Sequence, residues 1–116
     1  MKNENRHLFN IACADGNFEY IKDNYKKFST KELEFGFRLA ATYDRLNIVK
    51  YFLENDLLEE IFDNCSSRED NAFMCSLTLS RKENNVTNYL LKERKYVPPE
   101  TILWWIEENN INFKLS

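Results

Sequence analysis

A chain of 116 residues, 43% hydrophobic and 30% charged, has the length of one domain and enough apolar side chains to bury a core without metals or disulfides. Its formal charge of −3 excludes a strongly basic nucleic-acid binder as well as an acidic mimic of DNA. Two glycines and two prolines are too few for the turns of a β-sandwich, which leaves helices.

The opening residues MKNENRHLFN lack the apolar core of a signal peptide. No run of about 18 apolar residues is present to cross a membrane, so a cytoplasmic setting is expected. Cys13, Cys65 and Cys75 are an odd set without paired spacing, as buried or idle thiols are in a reducing compartment. Without export, the triplets Asn64-Cys-Ser and Asn85-Val-Thr are expected to stay unglycosylated. Abundant Asn, Lys, Ile and Phe suit an AT-rich coding sequence, such as a viral, phage or bacterial one.

A first unit, residues 5–28, contains IACADGNFEYIKDNY at 11–25. Ala12 and Cys13 are small enough for a first helix to lie close to its neighbours, and Gly16 suits the positive φ that ends a helix. Phe18, Ile21, Tyr25 and Phe28 then recur at helical spacing, with Glu19, Lys22, Asp23 and Lys26 on the solvated side. The second unit, residues 29–65, starts with Ser29 or Thr30 as N-cap and Glu32 completing a capping box. It repeats the pattern as LAATYDRLNIVKYFL at 39–53, with Ala40-Ala41 for Ala12-Cys13, Asp44 for Gly16, and Leu46, Val49 and Leu53 for Phe18, Ile21 and Tyr25. Asp44 tolerates positive φ less well than glycine, so Asp44→Gly is expected to be neutral or mildly stabilising. Residues 54–65 read as an extra helical turn.

The third unit, residues 66–96, starts at Ser66 or Ser67 with Glu69 and Asp70 in the first turn. LTLSRKENNVTNYLL at 77–91 aligns Val86, Tyr89, Leu90 and Leu91 with Ile48, Tyr51, Phe52 and Leu53. The copies are spaced by 28 (39 − 11) and 38 (77 − 39) residues. Pro98 and Pro99 then open a closing helix, residues 98–110. On it Ile102, Leu103 and Ile106 share the packing face, Trp105 lies on a flank and Trp104 points away. The tail INFKLS, with Ile111, Phe113 and Leu115, is expected to fold back over Trp104, and the competing expectation is a partner anchor there.

LAATYDRLNIVKYFL resembles the core of an ankyrin repeat, in which a Leu-Ala-Ala helix, a tight corner and an Ile-Val-x-x-Leu-Leu helix recur at about 33 residues. The resemblance covers residues 8–91 and implies an all-α, ankyrin-like solenoid of stacked helix-turn-helix units. The family's Thr-Pro-Leu-His opening is missing: the corresponding positions read His7-Leu-Phe-Asn10, Phe35-Gly-Phe-Arg38 and Phe73-Met-Cys-Ser76. The hairpin fingers are expected to be reduced or absent, with helix-only repeats the runner-up reading and a non-repetitive bundle the third. The inner positions before each corner would carry partner contacts: Ala14 and Asp15, Thr42 and Tyr43, Ser80 and Arg81. Asp15, Tyr43, Arg81 and Trp104 are the candidate binding residues.

Catalytic chemistry finds little support. His7 is the one histidine and falls on an N-terminus expected to be mobile, and Cys13 sits in a packing segment. No phosphate-binding loop, dinucleotide fingerprint or Cys-x-x-Cys pair is present. Glu59-Glu60, Glu69-Asp70 and Glu107-Glu108 are adjacent in sequence and diverge by about 100° on a helix. The cations of Lys92-Glu-Arg94-Lys95, and Lys22, Lys26, Lys27 and Lys31, are interleaved with acids, which disfavours nucleic acid. The chain reads as a non-catalytic module, without cofactor or metal, that binds a protein. A small adaptor or inhibitor of a cellular or host protein is the leading expectation. A nucleic-acid-binding helical protein is the alternative, and a small enzyme ranks below it.

Overall fold

The computed structural model describes residues 2–58, 61–62 and 66–115 of the chain. In chain order it contains α1 (Lys2–Asp15), α2 (Phe18–Asn24) with a 3-10 turn at Tyr25–Lys27, α3 (Thr30–Thr42) and α4 (Leu46–Glu54). Next come β1 (Ile61–Phe62), β2 (Ser66–Ser67), α5 (Arg68–Ser80), α6 (Asn85–Lys92) and α7 (Glu100–Glu108). Among the described residues the regular structure is helical apart from β1 and β2, which pair antiparallel.

The small-residue segments end helices by one geometry. Gly16 and Asp44 take left-handed backbone at φ 81° and 57°. The next residue's N–H then reaches back five residues, from Asn17 to the Ala12 carbonyl and from Arg45 to that of Ala40. This Schellman closure satisfies carbonyls the helix leaves open. The same closure ends α4 (Leu57 to Phe52) and α7 (Ile111 to Ile106).

The starts of α2, α3, α5 and α6 are capped by side chains. Ser29 forms a full capping box with Glu32, and Ser67 forms one with Asp70. Asn17 caps α2 by accepting the Tyr20 N–H, and Asn84 forms a box with Thr87 at α6.

Packing sorts the helices into two layers. α1 lies on α3 and α3 on α5, each first helix lies on its own second, and α2, α4 and α6 follow one another outside. The molecule measures 44 × 24 × 24 Å. Ala40 and Ala41 have no exposed surface, as expected of residues between helices. Gly36 is tighter still: a Cβ there would lie 2.7 Å from Phe9 Cε2 and 2.8 Å from Cys13 Sγ. Each first helix also contributes one fully buried phenylalanine. Phe9 meets Phe28 with ring centroids 4.3 Å apart, Phe37 meets Phe52 at 5.9 Å, and Phe73 meets Tyr96 at 5.2 Å.

Several expectations need correction. His7 lies within α1, which is helical from Lys2. The segment after α4 is not an extra helical turn at 61–62, where the chain pairs as a strand; Glu59, Glu60 and Cys65 lie outside the described residues. The third unit carries two offsets. Its second helix keeps the expected 38, since Val86 and Leu90 are buried like Ile48 and Phe52. On α5, however, Ala72, Phe73, Ser76 and Leu77 are buried like Gly36, Phe37, Ala40 and Ala41, an offset of 36 (72 − 36, 77 − 41). Two extra residues therefore lie between Leu77 and Val86, where α5 runs on to Ser80 before the corner.

The tail does not cover Trp104. Ile111 and Phe113 are buried, and the Phe113 ring meets Phe73 edge-on at 5.3 Å. The Asn112 N–H bonds the Arg81 carbonyl at 2.9 Å, so this strand runs beside the third corner. Trp104 is 64% exposed. Ile102 and Ile106 are buried and Leu103 and Trp105 half-buried, the arrangement expected for α7.

Candidate functional site

The uncovered side of the first-helix layer is the part of the surface that combines repetition with exposed apolar side chains. On α3 it carries Phe35, Leu39 and Tyr43 at four-residue steps, which places them on one helix face. Shifting by 28 gives His7, Ile11 and Asp15 on α1, and shifting by 36 gives Asn71, Cys75 and Leu79 on α5. Phe35, Tyr43 and Leu79 are 50%, 47% and 57% exposed. Exposed aromatic and leucine side chains repeated along one face differ from apolar residues scattered singly over a surface.

Neighbouring helices meet along this face. The Cys75 thiol faces the Thr42 hydroxyl and the Arg38 charge across the α3–α5 seam. Burial raises its pKa while both neighbours pull it down. Between α1 and α3 a groove of about 320 Å³ is lined by Arg6, Asn10, Lys31, Glu32 and Phe35. Arg6 and Glu32 approach to 4.0 Å within it.

Asp15 and Tyr43, named from the sequence, occupy equivalent exposed positions on this face. Arg81 does not join them. It is the left-handed residue after α5, and its guanidinium donates to the Asn109 carbonyl at the end of α7, where it holds the closing helix. The residue at Tyr43's place on α5 is Leu79, which sequence reasoning missed together with Phe35 and Ile11. The signal was available as a four-residue period on the side opposite the alanines, but the 38-residue alignment hid its third copy.

Cys13, Glu69, Asp70, Tyr89 and Tyr96 are engaged within the fold. Cys13 is fully buried, and burial pushes its thiol up to about 12, which keeps it protonated and unreactive. His7 is exposed on α1. Glu69 pairs with Arg94 at 3.1 Å and Arg68 at 3.4 Å, Tyr89 donates to Glu54 at 2.8 Å, and Tyr96 donates to Asp70 at 2.6 Å. These ties join α4 to α6, and α5 to the segment that follows α6. Among the described residues no cluster of three His, Cys, Asp or Glu could hold a metal, and no helix is long and apolar enough to cross a membrane.

No family model, curated protein or solved structure matches this chain.

Proposed function

We propose that the chain is a non-catalytic protein-binding module, a small adaptor or inhibitor of a cellular or host protein. In this reading it is an ankyrin-like stack of three helix-turn-helix units with α7 as closing helix. Supporting the stack are the ordered packing of first helices on first and second on second, the shared closure at Gly16 and Asp44, and a short β pair leading into α5. The observation that carries the binding role is the row of exposed Phe35, Tyr43 and Leu79 on adjoining first helices. Large apolar side chains cost free energy in water unless a partner covers them, and aromatics dominate interface hot spots. Asp15 and Ile11 extend the row onto α1.

A photo-crosslinking residue placed at 35 or 79 in the native host tests this. Discrete protein adducts that survive nuclease should form from both positions and be absent from Asn47, exposed on the outer layer at α4. Adducts that nuclease removes would transfer the role to nucleic acid, and equal labelling from position 47 would remove the face from consideration.

A further inference from the structure

The exposed side of α7 carries a second feature that the first-helix face does not explain. Trp104 projects with 64% of its surface exposed. Its neighbours one turn away on the same side are Glu100, Thr101, Glu107 and Glu108, all exposed. None of the three carboxylates makes an ion pair or side-chain hydrogen bond among the described residues. Lys114 lines a groove with Glu107 without pairing to it. Glu107 and Glu108 also stand in the last turn of α7, which has no basic residue, where the helix dipole disfavours negative charge.

We infer that this side of α7 docks a basic protein segment, with a lysine or arginine over the Trp104 indole and neighbouring cations on Glu100, Glu107 and Glu108. Tryptophan is the strongest aromatic partner for a cation, and carboxylates around it select against neutral or acidic chains. A cation at this end would also relieve the charge that opposes the α7 dipole. This surface lies on α7 and uses no residue of the α1, α3 and α5 face, so the inference does not rest on that face's role.

The test is fluorescence anisotropy of dye-labelled octalysine, with octaglutamate as control, against the whole chain and two variants: Trp104→Ala, and Glu107→Gln with Glu108→Gln. Wild type should bind octalysine saturably, and each variant should bind about tenfold more weakly while melting at the wild-type temperature. Undiminished binding by Trp104→Ala reduces the effect to general attraction by acidic charge and overturns the inference. Absence of saturable octalysine binding by the wild-type chain, or equal binding of octaglutamate, overturns it too. Crosslinking from positions 35 and 79 reads the other face independently.

Discussion

Asp44 caps a helix in the next unit: its Oδ1 accepts the backbone N–H of Val86 at 2.9 Å, in the first turn of α6. Its Oδ2 accepts the Asn85 side-chain amide at 3.0 Å. The other ties have the opposite polarity, with an arginine donating to a helix-end carbonyl. Arg45 Nε donates to the Ala14 carbonyl at 2.7 Å, and Arg81 donates to that of Asn109. The three corners and the end of α7 thus form a chain of polar contacts.

Asp44→Gly is therefore expected to destabilise. Glycine removes the strain of a φ of 57°, but the lost cap costs about 0.5–2 kcal/mol. Asp44→Asn keeps one acceptor and should lose less. In denaturant titrations Asn85→Ala should cost less in the Asp44→Gly background than in wild type. Additive effects would mean that the two side chains act separately.

Gly36→Ala should destabilise by about 1–3 kcal/mol through overpacking, although alanine favours a helix by about 1 kcal/mol over glycine. The added carbon falls against Phe9 and Cys13, so Cys13→Ala should recover part of the loss. Ala40→Leu and Ala41→Leu should cost a similar amount, because both sites are fully buried. A stable Gly36→Ala protein would mean that α1 and α3 lie further apart than this.

Much of the second unit was legible because its signals are local. Ser29 and Glu32 fall within one turn, the alanines are adjacent, and the α4 stripe has one period. Asp44's role was not legible, since its partners Asn85 and Val86 lie 41 and 42 residues away and its position suggested only a replacement for glycine. The third unit misled for a related reason. Its longer corner separates the registers of α5 and α6, so one alignment could fit only the second helix. The tail's three apolar residues showed that it must pack somewhere. They did not say where, because Phe73 lies far upstream.

Truncation after Asn110 should lower stability by about 2–5 kcal/mol by uncovering Phe73 and removing buried Ile111 and Phe113. In a Trp105→Phe background it should leave the emission of Trp104 where it is, since the tail does not cover that ring. A red shift on truncation would place the tail over Trp104 after all.

Tyr96 provides a pH dependence. Burial and then its hydrogen bond to Asp70 raise its pKa above the usual tyrosine value. The unfolded chain ionises near pH 10, so the unfolded state gains charge first. The stability from the neutral phenol is complete below about pH 10 and is lost as pH rises toward the folded value. Tyr96→Phe should cost about 1–3 kcal/mol at pH 7 and show a flatter decline in melting temperature above pH 10. An equally steep decline would assign the alkaline loss to other groups.

The most direct test of a protein-binding first-helix face is calorimetry with the protein captured from positions 35 and 79. Tyr43→Ala with Leu79→Ala should keep the wild-type fold and weaken binding by about 2 kcal/mol or more. Arg81→Ala, which releases the end of α7, should lower the melting temperature and leave affinity unchanged. Wild-type affinity in the folded Tyr43→Ala, Leu79→Ala protein would contradict the account.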